Sequence, residues 1–358
     1  MTNKKFWKNK TVLITGHTGF KGSWLTLLLK SLGVKIIGYA LNPISKPNFF
    51  DNLKLGKFLK KDYRNDILDF KKFNKVLKRH KPSIIFHLAA QSSVFVSYKK
   101  PINTIATNLL GTTNVLEACK NKKFIRSVII VTTDKVYLNF NQNKKFTEKD
   151  KLGGLDIYSG SKAACEIMSE SYSHAFFKSL KTNIATVRSG NCIGGGDWTK
   201  DRILKDCAVL LLKNKKLLIR SPDSTRPWQH VLEPLVGYLK LAKKLFYDKS
   251  NKYSNSWNFG PTNHKNMKVI EVARFAKKFL MSRSKIAIKS HHFHESKYLA
   301  LDSKKSKKRL NWQTHLTNQN AIRMTLEWFQ NYYDQKERKN LLNFSFRQIK
   351  EITKLHNF

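Results

Sequence analysis

Three glycines spaced three residues apart follow directly on a short apolar run near the start of the chain. The run is Thr11–Thr15, and the glycines are Gly16, Gly19 and Gly22. Glycine lacks a Cβ, so a strand that ends in such a turn can pass at once into a helix whose free N–H groups bind a pyrophosphate. This order of strand, turn and helix is typical of the first unit of a dinucleotide-binding α/β fold.

The pattern of apolar residues extends this prediction over the first half of the chain. We predict strands near residues 11–15, 34–40, 83–87, 127–132 and 184–188. Between them, helical spacing of apolar residues occurs near 23–32, 69–80, 101–120 and 157–178. Strands that alternate with helices predict a doubly wound parallel sheet, the Rossmann architecture, with helices on both faces.

Beyond about residue 189 the pattern loosens into loops and separate helices, near 233–246, 268–280 and 318–334. We therefore expect a smaller α+β substrate-binding domain in the C-terminal half. The predicted sheet domain comprises residues 1–188 plus about 228–262, and the substrate domain comprises about 189–227 plus 263–358. The residues after about 336 are polar and are expected to be partly frayed.

Composition narrows the class of protein. The four cysteines stand singly, which fits a reducing compartment, and we expect a cytoplasmic protein. No segment approaches the roughly 20 apolar residues that span a bilayer. The net charge of +44 comes mostly from lysines scattered along the whole chain. We interpret it as a solvated surface, and we expect neither a specific nucleic-acid partner nor a membrane partner.

A tyrosine and a lysine four residues apart are candidate catalytic groups. Tyr158 and Lys162 lie on one predicted helix, so both can face the same ligand. A free phenol has a pKa near ~10, and a neighbouring ammonium lowers it, so that Tyr158 can act as a base. The residues Thr133, Asp134 and Lys135 follow another predicted strand at the carboxyl edge, where open α/β sheets hold ligands.

These motifs together resemble the extended short-chain dehydrogenase/reductases of the NAD-dependent epimerase/dehydratase family. The glycine turn has that family's spacing, His87-Leu-Ala-Ala-Gln91 resembles its coenzyme loop, and Tyr158-Ser-Gly-Ser-Lys162 its catalytic motif. The resemblance implies NAD as cofactor and a nucleotide-linked hexose as substrate. It also implies a homodimer formed by helices 101–120 and 157–178. The coenzyme would contact Gly16, Thr18, Gly19, Phe20, Gly22, Asp66, Ile67, Leu88, Ala89, Ala90, Asn108, Tyr158 and Lys162.

Within this family, Thr-Asp-Lys at 133–135 resembles the CDP-hexose branch of the nucleotide-sugar 4,6-dehydratases. The segments 16–24, 190–198 and 226–234 resemble the same branch. The resemblance implies loss of water through an internal NAD redox cycle, in which Tyr158 deprotonates the 4-hydroxyl and Asp134 protonates the departing 6-hydroxyl. Thr133 belongs to the same catalytic set. Lys135 is either the base at C5 or an electrostatic aid to the enolate.

A nucleoside diphosphate needs cationic anchors, and planar arginine suits them. Several arginines lie in the motif loops of the second half although arginine is scarce overall. Of these, Arg226 is the first candidate and Arg202 the next, with Arg188 and Arg220 further possibilities. The predicted substrate-binding set, which includes two residues taken from the family resemblance, is Gln91, Asn191, Arg202, Arg226 and Arg188.

Several alternatives remain open at this stage. A 4-epimerase shares every motif up to Tyr158 and Lys162. A non-catalytic binding protein on a dehydrogenase fold would use the positive charge to hold RNA. The choice between NAD and NADP is also open, because the stretch Tyr39-Ala-Leu-Asn42 lacks the acidic residue that selects NAD, and Lys46 could bind the 2′-phosphate of NADP.

The cluster His291-His-Phe-His294 lacks convincing metal-ligand spacing, so we predict no metal site.

Overall fold

Seven parallel strands form the central sheet of the protein. The computed structural model describes residues 3–140, 143–200, 202–261, 267–288 and 298–358. In chain order the strands are β1 Thr11–Thr15, β2 Lys35–Ala40, β3 Lys61–Arg64, β4 Ile84–His87, β5 Ser127–Val131, β6 Asn183–Arg188 and β7 Ser256–Asn258. In the sheet they follow the order β7, β6, β5, β4, β1, β2, β3. The predicted doubly wound α/β fold is confirmed.

The strand order determines where a ligand can bind. The chain first builds outward from β1 to β3 and then returns to place β4 on the other side of β1. Neighbouring crossovers diverge at such a switch point, which leaves a crevice outside the carboxyl ends of the strands. The glycine turn after Thr15 and the loop after His87 both open into this crevice.

Successive side chains of each strand enter opposite cores. In β1, Val12 and Ile14 belong to one hydrophobic cluster, whereas Leu13 belongs to the other. A strand buried on both faces explains why the apolar runs of the sequence are continuous and not alternating. Two strands were not predicted. β3 is a polar edge strand, and β7 is only three residues long.

Helices cover both faces of the sheet. They are α1 Asn3–Trp7, α2 Phe20–Ser31, α3 Phe49–Asn52, α4 Phe70–His80, α5 Val94–Lys99, α6 Pro101–Ile105, α7 Gly111–Cys119, α8 Ile157–Tyr172, α9 Ile203–Leu212, α10 Leu232–Tyr247, α11 Val269–Phe279, α12 Lys304–Leu310, α13 Asn318–Tyr333, α14 Gln335–Arg338 and α15 Leu341–Leu355. None of the helices in the described part of the chain is both long enough and apolar enough to cross a membrane.

The second half of the chain adds short strand pairs beside the sheet. Leu217–Ile219 pairs with Ile286–Ile288, and Thr225–Arg226 pairs with Met267–Lys268. Between these segments the chain returns to the sheet, where α10 packs on it and β7 extends its edge beside β6. The division into two domains stays a prediction, although this path shows how the two halves are threaded together.

The expectation of a frayed C-terminal tail is wrong. Residues 341–355 form a complete helix, α15, whose Leu341, Ile349 and Ile352 are buried. Ser345 of this helix accepts a hydrogen bond of 3.0 Å from the indole of Trp328 on α13. The helix is stabilised by this packing and not by its composition, because apolar residues on one face suffice even where the other face is polar.

Candidate active site

A cavity of about 710 Å³ lies at the carboxyl ends of the sheet strands. Its walls include the glycine turn, the loop after β4, the turn after β5, the start of α8, and loops of the second half of the chain. Of the residues predicted for the site, those that line it are Gly16, Thr18, Gly19, Phe20, Gly22, Asp66, Ile67, Leu88, Ala89, Ala90, Thr133, Asp134, Lys135, Tyr158, Lys162, Asn191, Arg202 and Arg226.

The glycine turn has no room for larger residues. Gly16 has φ of +73°, and a Cβ placed on it would lie 2.6 Å from the amide nitrogen of Ala89. A Cβ on Gly22 would lie 2.2 Å from the Gly16 carbonyl oxygen. The backbone therefore forms a bare cradle at the N-terminus of α2, which is the arrangement that receives a pyrophosphate. The residues present fit a dinucleotide coenzyme.

A buried histidine holds the opposite wall of this cradle. Thr15 Oγ1 accepts hydrogen bonds of 3.1 Å from the amides of Leu88 and Ala89, so its own proton goes to Nδ1 of His87 at 2.7 Å. Nε2 of His87 then donates to Thr112 Oγ1 at 3.1 Å. This bonding requires neutral imidazole, and burial lowers the pKa of His87 to about 3.

The stretch after β2 lines the end of the cavity next to the glycine turn. The lining residues between 39 and 45 carry no charged side chain, and Lys46 is exposed and outside the lining. Nearby Asp66 caps the backbone, with its carboxylate accepting from the amide of Leu68 at 2.9 Å. This part of the wall thus offers no cation to a 2′-phosphate.

Gln91 and Asn108 lie outside the cavity lining, although both were predicted to contact ligands. The amide of Asn108 clamps the backbone of Gln91 through bonds of 2.8 and 3.1 Å, and it donates to Ser161 on α8 at 2.9 Å. The side chain of Gln91 bonds to Ser93 and Thr104. Both residues fix the loop after β4 instead of facing the cavity. Asn108 does so from a π-helical turn, a feature frequent near functional sites.

Tyr158 and Lys162 meet at the cavity as their spacing predicted. They lie in the first turns of α8, whose N-terminus is capped by Asp156 through a 2.9 Å bond from the Ser159 amide. Lys162 Nζ donates to the carbonyl of Val131 at 3.1 Å, and burial lowers the pKa of this ammonium. Burial raises the pKa of Tyr158, while a hydrogen bond with Thr133 and nearby cations act in the opposite direction.

The chain turns immediately after β5, which brings consecutive side chains to one cavity. Residues Asp134–Val136 form a single 3₁₀ turn that begins after Thr133, and Thr133, Asp134 and Lys135 all line the cavity. On a continuing strand, Asp134 and Lys135 would point to opposite faces of the sheet. Because the strand has already ended, both side chains can line the same cavity.

The carboxyl group of Asp134 is buried and only half satisfied. Thr133 Oγ1 donates to Oδ1 at 3.0 Å, whereas Oδ2 has no hydrogen-bond partner. A Cβ on Gly190 would lie 2.7 Å from Oδ2, so only glycine leaves space for this carboxyl there. Burial raises the pKa of Asp134 more than the neighbouring cations lower it. A carboxyl in this environment can hold a proton and donate it.

Lys21 is a site residue that the sequence reasoning missed. It stands within the glycine motif, lines the cavity, and donates to Ser189 Oγ at 2.7 Å. Burial opposes its charge, but the Cys192 thiol and the Tyr238 and Tyr158 hydroxyls outweigh that effect and raise its pKa. The available signal in the sequence was a lysine placed among the glycines of the turn. A cation is unusual there, because the N-terminus of a helix favours anions.

Arginines from the second half supply positive charge to the cavity. Arg202, Arg220 and Arg226 all line it. Arg202 is half-exposed, with Nε 3.6 Å from Asp197 Oδ2, while Arg226 is buried and donates to the Thr225 carbonyl at 2.8 Å. Fork-shaped guanidinium groups of this kind suit a diphosphate. Asn191 lines the same cavity.

Arg188, predicted to bind substrate, lies elsewhere. It is the last residue of β6, is buried, and is absent from the cavity lining. Its guanidinium forms a 2.9 Å ion pair with Glu166 and a 2.7 Å hydrogen bond to the hydroxyl of Tyr137. The strand directs this side chain into the protein interior, so its charge is used there and not on a ligand.

The histidine cluster 291–294 lies outside the described residues. Within the described parts of the chain, no group of three or more His, Cys, Asp or Glu side chains is arranged to hold a metal ion.

Comparison with known proteins places these features in context. A sequence model of the GDP-mannose 4,6 dehydratase family matches residues 13–325. The CDP-glucose 4,6-dehydratase of Salmonella typhimurium is 38% identical over 335 residues, covering 92% of each chain. The dTDP-D-glucose 4,6-dehydratase of Dictyostelium discoideum is 31% identical over 73% of this chain and 60% of its own.

Solved structures agree with the fold. The dTDP-glucose 4,6-dehydratase of Bacillus anthracis, solved in complex with NAD, superposes with a TM-score of 0.75 over 93% of this chain and 99% of its own, at 22% identity. The UDP-glucose 4-epimerase of Thermotoga maritima, solved with UDP-glucose, gives a TM-score of 0.78 over 90% of this chain and all of its own, at 19% identity. At these identities the likeness concerns the fold alone.

Proposed function

Because this chain belongs to the GDP-mannose 4,6 dehydratase family, we propose that it converts CDP-glucose into CDP-4-dehydro-6-deoxyglucose and water. The nucleotide base is taken from the similarity to the Salmonella enzyme, which extends over nearly the whole of both chains. The product is an intermediate suited to deoxysugar synthesis for surface polysaccharide. The observation that carries the choice of reaction is the buried carboxyl of Asp134, with a raised pKa, beside Tyr158.

NAD is the coenzyme we propose. The bare glycine cradle fits its pyrophosphate, and the uncharged wall between residues 39 and 45 favours NAD over NADP. When bound, NAD accepts a hydride from C4 of the hexose and returns it to C6, so that it is not consumed. Gly16, Gly19, Gly22 and the loop 88–90 would hold it.

Tyr158 removes the proton of the 4-hydroxyl. Its phenol must first become phenolate, and the cations Lys21 and Arg202 favour that form. Lys162, one helical turn further along α8, lines the same cavity. The hydrogen bond with Thr133 also favours the phenolate. Removal of this proton lets C4 become a ketone, which in turn acidifies the proton on C5.

Asp134 then supplies the proton for the departing 6-hydroxyl. A base, for which Lys135 is the candidate, takes the C5 proton as the C5–C6 double bond forms, and the C6–O bond breaks as the oxygen takes the proton of Asp134 and departs as water. A proton returns to C5 when the hydride is added at C6. The raised pKa of Asp134 favours the protonated form that this step requires. Lys135 lines the same wall and has two available roles, removal of the C5 proton or stabilisation of the enolate.

The remaining polar lining positions the nucleotide. Arg202 and Arg226 would bind the diphosphate, and Asn191 the same group from its loop. Arg220, which lines the cavity as well, is a further candidate. These residues come from the second half of the chain, so the cavity would join a coenzyme half to a substrate half, in line with the two domains predicted above.

Two broader properties complete the proposal. We infer a homodimer, because the helices around α6, α7 and α8 expose apolar side chains that a second copy would cover: Ile102, Ile105, Leu110 and Ile167. We also infer a cytoplasmic location, since the four cysteines are free thiols.

The decisive experiment incubates the purified protein with CDP-glucose, with and without added NAD⁺, and follows the sugar nucleotide by mass spectrometry. We expect loss of one water without net formation of NADH. CDP-glucose deuterated at C4 should yield a product with the label at C6. A parallel sample with dTDP-glucose tests the base. An unchanged mass with inverted C4 would identify a 4-epimerase instead, and no turnover of either nucleotide would refute catalysis of this kind.

A further inference from the structure

A buried ion pair lies directly behind the active site and forms no part of its lining. The Arg188 guanidinium approaches Glu166 Oε2 to 2.9 Å, and each side chain is only 3% exposed. Burial opposes the charge of Arg188, but the Glu166 carboxylate outweighs it and raises the pKa of the guanidinium. A buried pair is costly to desolvate and needs further partners to satisfy both groups. Those partners show what the pair does.

Glu166 holds the beginning of the segment 132–137, which contains the 3₁₀ turn after β5. Its carboxylate accepts hydrogen bonds from the hydroxyls of Thr132 and Thr186 as well as from Arg188. Thr132 is the first residue after β5 and lies two residues before the 3₁₀ turn. Its amide also donates to the Val187 carbonyl at 2.9 Å. The start of the turn is therefore fixed against both α8 and β6.

Arg188 holds the end of the same turn. Its Nη1 donates to the hydroxyl of Tyr137 at 2.7 Å, and that hydroxyl donates onward to Oδ1 of Asn258 at 2.7 Å. The guanidinium also lies over the Tyr137 ring, 4.9 Å from its centroid. Tyr137 is the first residue after the 3₁₀ turn. One ion pair thus binds both ends of the segment 132–137.

The segment between the two contacts carries Thr133, Asp134 and Lys135. Glu166 itself stands on α8, four residues after Lys162 and eight after Tyr158, so these three lie along one side of the helix. The pair consequently connects the helix that carries the base to the turn that carries the acid. Neither Glu166 nor Arg188 lines the cavity, whereas Tyr137 does. Glu166 and Arg188 therefore act on the reaction through the turn, and Glu166 also through its charge, which raises the pKa of Lys162 against the effect of burial.

We propose that Glu166, Arg188 and Tyr137 are positioning residues that fix Asp134 and Lys135 relative to Tyr158 for the elimination of water. This inference rests on the proposed dehydration. Loosening the turn would misplace the acid but leave Tyr158 and Lys162 on their helix. Oxidation at C4 would continue, elimination would slow, and reduced coenzyme would accumulate during turnover.

Tyr137→Phe is the sharpest test, because it keeps the ring, which stacks on Phe146 and lines the cavity, and removes only the hydroxyl that bonds to Arg188 and Asn258. Tyr172→Phe is a matched control: it lies on α8, where its hydroxyl contacts Glu117 at 3.1 Å, away from the turn. We expect Tyr137→Phe to lower kcat about tenfold with KM for CDP-glucose nearly unchanged, and to build up NADH. The control should do neither.

Glu166→Gln provides a second reading, since it keeps the side-chain shape but removes the charge that orients Arg188. It should accumulate NADH as well, and melting temperature should be recorded for every variant. If kcat falls in Tyr137→Phe without NADH build-up, or if Tyr172→Phe behaves in the same way, the positioning role is refuted. Failure of the unmodified protein to dehydrate CDP-glucose would instead refute the proposed function, which separates the two ideas.

Discussion

The ammonium of Lys21 lies 2.7 Å from the hydroxyl of Ser189, and its charge acts to lower the pKa of the Tyr158 phenol against the effect of burial. An ammonium close to a phenol favours the phenolate. The proposed base, Tyr158 on α8, is thus influenced by a lysine from a separate element, α2.

Replacing Lys21 should therefore make Tyr158 a poorer base at neutral pH. In Lys21→Met the pKa of Tyr158 rises further, and the acidic limb of the pH profile of kcat/KM moves to higher pH. We expect a loss of about tenfold near pH 7, corresponding to a shift of about one pKa unit. Lys30→Met, an exposed lysine on the same helix, is the control. Coincident profiles for the two variants would contradict the role of Lys21.

Removing the carboxyl of Asp134 should separate elimination from oxidation. Asp134→Asn cannot donate the proton to the departing hydroxyl, and a lost general acid costs roughly 10²- to 10⁴-fold in rate. Rapid mixing with CDP-glucose and NAD⁺ should then show NADH formed and retained. Because the pKa of Asp134 is raised, the unmodified protein should lose elimination only as pH climbs through that raised value.

The control for this change is Asp223→Asn, an exposed carboxylate paired with Lys268. Its turnover should match that of the unmodified protein. Normal dehydration by Asp134→Asn would remove Asp134 from the mechanism.

Glycine substitutions should distinguish the coenzyme cradle from the rest of the catalytic motif. A methyl group on Gly16 meets the Ala89 backbone at 2.6 Å in a conformation with positive φ, so Gly16→Ala should weaken NAD⁺ binding at least about tenfold. Gly160→Ala meets nothing within 4 Å inside α8 and should stabilise the protein by roughly 0.5–1 kcal/mol. Calorimetric titration measures the affinity for NAD⁺, and thermal unfolding measures the change in stability. Equal NAD⁺ affinity in both variants would count against the cradle.

Two buried histidines should make stability fall with acid. Burial lowers the pKa of His87 to about 3 and that of His230 to about 4, against about 6.5 when unfolded. Between those values the unfolded chain binds more protons than the folded one. The free energy of unfolding should consequently be highest above about pH 6.5 and fall by roughly 1.4 kcal/mol per pH unit for each histidine down to about pH 4.

Urea unfolding at several pH values tests this. His87→Gln should show a smaller slope than the unmodified protein over the same range. An identical slope would mean that His87 is not the titrating group.

Local patterns predicted much of this protein. The glycine turn, Tyr158 and Lys162 were found because each depends on short spacing within one or two elements. The turn at Asp134 needed the structure, since a sequence does not show where a strand ends to the residue. Strand β3 was not predicted, because an edge strand with polar residues has no apolar pattern.

Contacts between residues far apart in the sequence account for the predictions that the structure corrected. Arg188 was predicted to bind the substrate. Its ion-pair partner, Glu166, lies on another element, so the sequence alone does not show whether this arginine is paired inside the protein or faces a ligand. Asn108 and Gln91 lie near the site but serve its loop, a distinction that only tertiary contacts reveal. The polar tail predicts partial fraying, although Leu341, Ile349 and Ile352 fall on one helical face that requires a partner surface.

The path of the chain between β6 and β7 has a consequence for how the protein must be made. Strand β6 is buried along its whole length, and its outer edge is covered by β7, which begins at Ser256 only after loops carrying Arg202 and Arg226 have been laid down. A product ending after Arg188 would present an apolar open edge, a template for aggregation. The sheet is therefore complete only when residues of the second half have been added, and the chain cannot be divided after Arg188 without exposing this edge.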